Sequence, residues 1–313
     1  MFAGGVIVGR YVPVAQQMQK SETSESGVSY KFINPLLFCQ DQNINLSNQG
    51  ASVMENAVGS YITQEKNNGD LIDASFYFRD LNGGPWALVN PDFRSIPSSL
   101  LKVPTAISVY QHAEQDPKFL STKVTFAGGT GLNRSEHFQP REEIQPHTTY
   151  TTEDLVRYML EDSDNEALLL LTNMMDLQEL TDSYTHFGIE LPQSADKKGY
   201  TMTVKTYASF FRILYNGTYL TQSNSEHLLS LLSQSSFIRG LVAGLPQGMA
   251  VAHKFGEASL PNGILQLHDC GIVYKPNQPY LICVMTKGTN FDTLAGVISH
   301  ISETVYQILQ NQN

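Results

Sequence analysis

The order in which helical and extended patterns follow one another constrains this chain more than any single motif does. Between Ala51 and Gln64, the apolar residues Val53, Met54, Ala57, Val58, Tyr61 and Ile62 recur at helical spacing, which predicts a helix with one face to bury. Ala74 to Phe78 and Trp86 to Val89 flank Asn82-Gly83-Gly84, the pattern of a hairpin. From Ser99 to about Leu245 the periodicity is helical, with helices predicted over 152–160, 166–175, 204–215 and 225–232, and Thr151 and Asp154 spaced as a capping box. Three strand patterns follow, Met249 to Lys254, Ile264 to Tyr274 and Tyr280 to Thr286, the last two joined across Pro276-Asn277-Gln278-Pro279. A helical stripe from Phe291 to Leu309 closes the chain. Helix, hairpin, helical insert, three strands, helix: this order predicts an α+β fold, an antiparallel sheet covered by terminal helices with an all-helical subdomain inserted between its early and late strands.

Composition narrows the function. A chain of 313 residues, 41% hydrophobic and 16% charged, has enough apolar material for an enzyme-sized core. Its formal charge of −10 argues against a nucleic-acid or anionic-membrane binder, because both need a basic face. Residues 15–28 are rich in Gln, Ser and Glu and read as a solvated linker, and the apolar patch Tyr30 to Cys39 reads as a segment that docks on the domain. Residues 1–48 are therefore expected to be an N-terminal segment and linker, and 49–313 the folded domain, with its helical subdomain over about 105–245. Met1 to Gly9 is apolar but far shorter than the roughly 20 residues that span a bilayer. The remnant of a trimmed membrane anchor on one side, and a frayed terminus or short strand on the other, are equally open for it.

Cys39, Cys270 and Cys283 form no C-x-x-C pair and are odd in number, so they are expected to be small core residues, without a disulfide framework or a zinc site. The eight histidines show no H-x-H or H-E-x-x-H spacing; no metal or other cofactor is expected. His268-Asp269-Cys270 is no triad, since consecutive strand residues point to alternate faces.

Three short elements carry chemistry. In Ser98-Ser99-Leu100-Leu101-Lys102 a helix start would set Ser99 and Lys102 one turn apart on one face, so that hydroxyl and amine touch. Pro97 and Ser98 suit a helix start, whereas Pro104 predicts an irregular opening turn. A serine hydroxyl becomes a nucleophile only when a neighbour takes its proton, and a lysine does this when burial lowers its pKa. The second element, Ser163-Asp164-Asn165, lies between two helical stretches, where Ser163 would relay a proton to a leaving group and Asn165 would bind a substrate amide. Its plainer reading is a polar turn that caps the next helix. In the third, His253-Lys254-Phe255-Gly256-Glu257, Lys254 would set a positive potential, Gly256 would admit close backbone approach, and the Glu257 N–H would join that of Ser99 as an oxyanion hole.

Taken together and in this order, the three elements make the chain from about Ala51 onward resemble the class A β-lactamases and the related low-molecular-mass penicillin-binding proteins. YFRDLNGGPWALVNPD followed by SSLLKVP is similar to that family's early hairpin and nucleophile helix, and LICVMTKG to its last core strand. The resemblance implies a five-stranded antiparallel sheet with flanking helices and a groove between sheet and helical subdomain. It implies Ser99, Lys102 and Ser163 as catalytic residues, Asn165, Lys254, Gly256 and Glu257 as substrate-binding, and a β-lactam or cell-wall peptide as substrate. The resemblance implies an extracytoplasmic location, and the linker fits a domain anchored through a segment at or before the N-terminus.

Two positions depart from the family. The E-x-x-x-N loop that activates the deacylating water has no match in HFGIELPQSADKKGY, where Ser194 stands four residues after Glu190, and Glu166 reads as a first-turn helix glutamate. Phe255 stands where the family has a hydroxyl, and Arg239, His253 and Lys287 are the candidate replacement donors. The missing glutamate keeps a slowly deacylating penicillin-binding peptidase or esterase as the second expectation, and a non-catalytic binding protein as the third.

Overall fold

The computed structural model describes residues 30–34, 47–186 and 201–311. Lys31–Asn313 form one compact unit. The expectations for Met1 to Gly9, for the linker at 15–28 and for Cys39 lie outside the described residues.

Helix α1 (Asn48–Asn68) is capped at its start by the Ser47 hydroxyl, which accepts the Gly50 N–H, and ends at Gly69 in the left-handed region. It extends beyond the predicted stretch at both ends because these caps, not the apolar stripe, set its limits. Strands β1 (Asp73–Asp80) and β2 (Trp86–Val89) make the predicted hairpin. A short strand β3 (Arg94–Ser95) leads to α2 (Lys102–Gln115), and β4 (Lys123–Phe126) pairs with β5 (Thr148–Thr151). Helix α3 (Thr152–Glu161) opens with the reciprocal Thr151–Asp154 capping box, then come α4 (Asn165–Met174) and α5 (Leu177–His186). Strand β6 (Met202–Thr203) pairs with β3 and precedes α6 (Val204–Asn216) and α7 (Gln222–Leu232). The chain closes with β7 (Val251–Ser259), β8 (Leu265–Val273), β9 (Tyr280–Gly288) and α8 (Phe291–Gln310).

Strands β1, β2, β7, β8 and β9 form one sheet in the order β2-β1-β9-β8-β7, antiparallel throughout. The α+β fold with an antiparallel sheet, terminal helices and a helical insert is as the pattern predicts. Alternation assigns the faces: Phe76 and Phe78 of β1, Ile282 and Val284 of β9 and Leu267 of β8 pack in one core with Met54, Val58 and Ile62 of α1 and Leu294, Ile298, Ile301 and Val305 of α8. Helices α6 and α7 lie against the sheet from the inserted subdomain. The insert is fed from β3 and returns to β7, so the edge strand β7 borders it.

Two expectations need correction. Strand β7 does not stop at Lys254 but runs on through Phe255, Gly256 and Glu257, paired with β8 along its whole length. Gly256 interrupts the sequence pattern without interrupting the ladder. The cysteines are not separate core residues either: Cys270 and Cys283 stand directly opposite each other on β8 and β9, with Cα atoms 4.0 Å apart, and are joined by a disulfide. Strand register brings them together, which spacing along the chain does not encode.

The segment 31–34 docks as the apolar patch predicts, but a carboxylate holds it. The Glu226 side chain on α7 accepts the N–H groups of Lys31 at 2.7 Å, Phe32 at 2.8 Å and Ile33 at 2.9 Å. Glu226→Ala leaves three N–H groups without that partner and is expected to cost about 1–2 kcal/mol. Urea denaturation measures it; a midpoint equal to wild type would show that these bonds do not hold the segment.

Candidate active site

The site begins at a strained turn. Pro97 is right-handed, Ser98 takes φ 50°, and Ser98–Leu101 form a 3-10 turn that runs directly into α2. Pro104 thus sits in the first turn of α2, where its missing N–H is no loss, and the irregular opening it predicts is this turn. Ser98 provides no side-chain cap, contrary to expectation; with its backbone left-handed, the turn closes instead through the Leu100 N–H on the Pro97 carbonyl at 3.0 Å. One turn separates Ser99 from Lys102, and Lys102 Nζ lies at hydrogen-bond distance, 3.0 Å, from Ser99 Oγ.

Lys102 is fully buried, and its amine also meets the Ser163 carbonyl at 2.5 Å, Asn165 Oδ1 at 2.6 Å and Ser163 Oγ at 3.1 Å. Burial brings its pKa down to about 7, with Glu136, Asp164 and Glu257 pulling the other way. A neutral amine has two hydrogens and one lone pair. The two closest neighbours are acceptors only, so they take the hydrogens and leave the lone pair for a hydroxyl. That is the arrangement of a base beside Ser99.

Ser163 itself takes φ 61° in the turn between α3 and α4. Next to it Asp164 caps α4, accepting from Glu166 N at 2.8 Å and Ala167 N at 3.1 Å, and also receives Ile144 N at 2.8 Å and Asn133 Nδ2 at 3.1 Å. The capping reading of Ser163-Asp164-Asn165 holds, since Asp164 fixes the turn, and the turn presents Ser163 and Asn165 to Lys102. Lys254 Nζ, also fully buried, donates to Ser163 Oγ at 2.8 Å and to the Phe255 carbonyl at 3.2 Å. Burial and the neighbouring Lys102 charge push its pKa well below the ordinary lysine value. Ser99, Lys102, Ser163 and Lys254 therefore form one continuous hydrogen-bonded chain.

Gly256 lets β7 lie against the nucleophile turn. A Cβ there would stand 2.7 Å from the Pro97 carbonyl oxygen and 3.0 Å from Leu100 N. Phe255 is buried, stacked on Phe237 at 4.2 Å between ring centres, with Lys254 Nζ 4.3 Å from its own. None of the candidate donors joins the network. Arg239 pairs with Asp292 at 2.6 Å and lies over the Phe138 ring, His253 is buried against Asp269 at 2.8 Å, and Lys287 is on β9, two strands away.

Sequence reasoning did not single out Glu136, which the loop before β5 brings into the site. Asn165 Nδ2 donates to Glu136 Oε1 at 2.9 Å. Glu257 was expected for its backbone N–H alone. Its side chain accepts His137 N at 2.5 Å and Phe138 N at 3.3 Å, and burial, with Glu136 beside it, raises its pKa to about 8. No periodicity marks Glu136; only closure of the loop onto β7 does.

Glu166 is buried and accepts Gly131 N at 2.8 Å, Leu132 N at 3.1 Å and the Thr130 hydroxyl at 3.2 Å, so it ties the loop at 130–132 to α4 rather than facing Ser99. Glu190 and Ser194 lie outside the described residues.

Residues 57–309 match the Beta-lactamase enzyme family, and the chain belongs to it. It is 25% identical over 210 residues to the Beta-lactamase VEB-1 of Pseudomonas aeruginosa, covering 60% of this chain and 68% of that protein. It is 29% identical over 188 residues to a Beta-lactamase of Phocaeicola vulgatus, covering 52% of this chain and 58% of the relative. Among solved structures its fold is that of PBP-A, with a TM-score of 0.68, 21% identity, 90% of this chain covered and 100% of the other. A variant of PBP-A has been solved as an acyl-enzyme complex with penicillin G, and matches with a TM-score of 0.67.

Glu166→Ala should lower stability by about 1–3 kcal/mol by stranding the loop N–H groups, while the Ser99 hydroxyl keeps its reactivity toward serine-directed acylating reagents. Parallel melts and mass-spectrometric labelling test this; loss of labelling in a folded variant would put Glu166 in the chemistry.

Proposed function

We propose that this chain is a serine acyl-transfer hydrolase of the β-lactamase type, acylated at Ser99 by β-lactams. The observation that carries the reading is the buried amine of Lys102, held 3.0 Å from Ser99 Oγ with both its hydrogens engaged elsewhere. Lys102 Nζ takes the hydroxyl proton as Ser99 Oγ attacks the lactam carbonyl carbon, and the carbonyl π electrons move to oxygen. The backbone N–H groups of Ser99 and Glu257 receive that oxyanion across the gap that Gly256 keeps narrow. As the C–N bond breaks, Ser163 passes its proton to the departing nitrogen and is replenished from Lys102 or Lys254, both within 3.1 Å of its oxygen. Asn165 holds the substrate amide, and Lys254 donates to Ser163 Oγ and so orients that hydroxyl. The acyl-enzyme formed by PBP-A with penicillin G supports acylation as the shared step. Release by water completes β-lactam hydrolysis.

We also place this enzyme outside the cytoplasm. The Cys270–Cys283 disulfide favours an oxidising compartment, and cell-wall-directed substrates are met there.

Intact-mass measurement over time with a penicillin and a chromogenic cephalosporin tests the reaction. The expected result is an adduct on Ser99 that decays with product formation, absent in Ser99→Ala. An adduct that persists without product would make the protein a penicillin-binding enzyme instead, and labelling retained in Ser99→Ala would remove Ser99 from the mechanism. The pH dependence has a definite sign. Only the deprotonated lysine accepts a proton, so with Lys102 at about 7 the acylation rate should climb about tenfold from about pH 6 to about pH 8 and then level. A rate that falls over that range would exclude Lys102 as the base.

A further inference from the structure

Between the end of β3 at Ser95 and the left-handed Ser98 lie only Ile96 and Pro97, and side chains of β8 hold Ile96 from both sides. Gln266 Oε1 accepts the Ile96 N–H at 3.0 Å, and His268 Nε2 stands 3.1 Å from the Ile96 carbonyl oxygen. A carbonyl oxygen only accepts, so Nε2 carries the hydrogen, and the other ring nitrogen, Nδ1, accepts the Thr286 N–H of β9 at 3.3 Å. These two partners select one neutral tautomer. Burial brings the His268 pKa down to about 4, so the ring stays neutral wherever the Lys102 amine is free. Gln266 and His268 are both buried and lie two residues apart on β8, opposite Ala258 and Gly256 of β7. They therefore share the sheet face against which the nucleophile turn rests. The hydrogen-bonded chain from Ser99 to Lys254 uses neither of them.

We infer that Gln266 and His268 are positioning residues for acylation, a two-sided clamp on Ile96 that sets how Ser99 faces Lys102 and the oxyanion; this rests on the acyl-enzyme reading above. A residue with a Cβ is disfavoured at φ 50°, and Ser98 keeps that conformation only while its surroundings leave the chain no easier path. Gly256 limits the turn from one side, since it brings β7 against the Pro97 carbonyl and Leu100 N. The clamp limits it from the other, because bonds to the N–H and to the carbonyl of Ile96 fix the peptide groups on both sides of that residue. The ring of Pro97 then fixes φ at the next position, so Ser98 is the soft joint between β8 and the nucleophile. With the clamp released, relaxation at Ser98 carries Ser99 Oγ away from Lys102 Nζ and the Ser99 N–H away from the oxyanion. A misplacement of about 1 Å at reacting atoms costs on the order of a hundredfold in rate. Asn165 holds the substrate from the opposite side of the groove and does not depend on Ile96, so the loss falls on the acylation step and not on binding.

Rapid-quench mass spectrometry over a range of benzylpenicillin concentrations separates the dissociation constant of the non-covalent complex from the acylation rate constant at saturation. It is applied to wild type, Gln266→Met, Gln266→Glu and His268→Leu at about pH 9, above the Lys102 titration, so that a shift in that titration does not enter. Gln266→Met keeps the length of the side chain without its acceptor and should lower the acylation rate constant about tenfold, with the dissociation constant unchanged. Gln266→Glu keeps an acceptor for the Ile96 N–H and should recover most of that loss. His268→Leu should lower the same constant by about tenfold or more. A side chain needed only for stability would move the melting temperature and leave the rate of the folded protein where it was. Where His268→Leu does not fold, the two Gln266 variants decide. A folded Gln266→Met or His268→Leu that acylates at the wild-type rate, a loss that appears in the dissociation constant instead, or a Gln266→Glu as slow as Gln266→Met overturns the clamp while leaving the acyl-enzyme reading intact. Failure of benzylpenicillin to label Ser99 in wild type overturns that reading and the clamp with it.

Discussion

A lysine amine with no exposed surface is the constraint around which the site is built. Lys102 unites Ser99 of its own helix start with Ser163 and Asn165 of the turn between α3 and α4, so the cluster forms only when that turn is packed against α2. The arrangement opposes stability. An unfolded lysine holds its proton up to about pH 10.4, whereas the folded one releases it at about 7. Between those values the unfolded chain binds more protons, so this group makes folding increasingly favourable as pH rises through the window. Below it, the cost of keeping the amine buried stays on the order of a few kcal/mol. The buried amine is destabilising at neutral pH, and the surrounding fold has to offset it.

Acidic side chains that bind backbone rather than cations do part of the offsetting. Asp164 gathers N–H groups from two segments, Glu166 holds the loop at 130–132, Glu226 holds residues 31–33, and Glu257 holds 137 and 138. Each carboxylate closes a loop that has no ladder of its own, where an unpaired N–H would otherwise be left against the protein. The excess of acid over base in this chain is thus in part structural.

What the sequence made legible, and what it hid, divides by range. Local pattern sufficed for the hairpin around Gly83, for the Thr151–Asp154 box and for the spacing of Ser99 and Lys102, because each depends on residues within a turn or two. The end of β7 was misread at Lys254, since Gly256 looks like a stop unless its neighbour, the Pro97 carbonyl, is known. Cys270 and Cys283 were read apart because only the register of β8 on β9 sets them face to face. Glu136 carries no periodic or motif signal at all. Its role exists through Asn165 and Glu257, both distant in sequence, and appears only when the loop closes.

The two walls of the site consequently differ in how much change they tolerate. On one side β7 and the nucleophile turn are in backbone contact at Gly256, with no room for a single added carbon, and the buried Phe255 ring stacks on Phe237 behind. Side-chain substitution there moves backbone. On the other side, Glu136 to Phe138 reach β7 through carboxyl-to-amide bonds and side-chain contacts, which can exchange partners without displacing a strand. A rigid wall suits the atoms that react, whose positions must hold within a fraction of an ångström. A wall made of exchangeable polar contacts can adjust without moving a strand, because an N–H released by one oxygen can be taken by another.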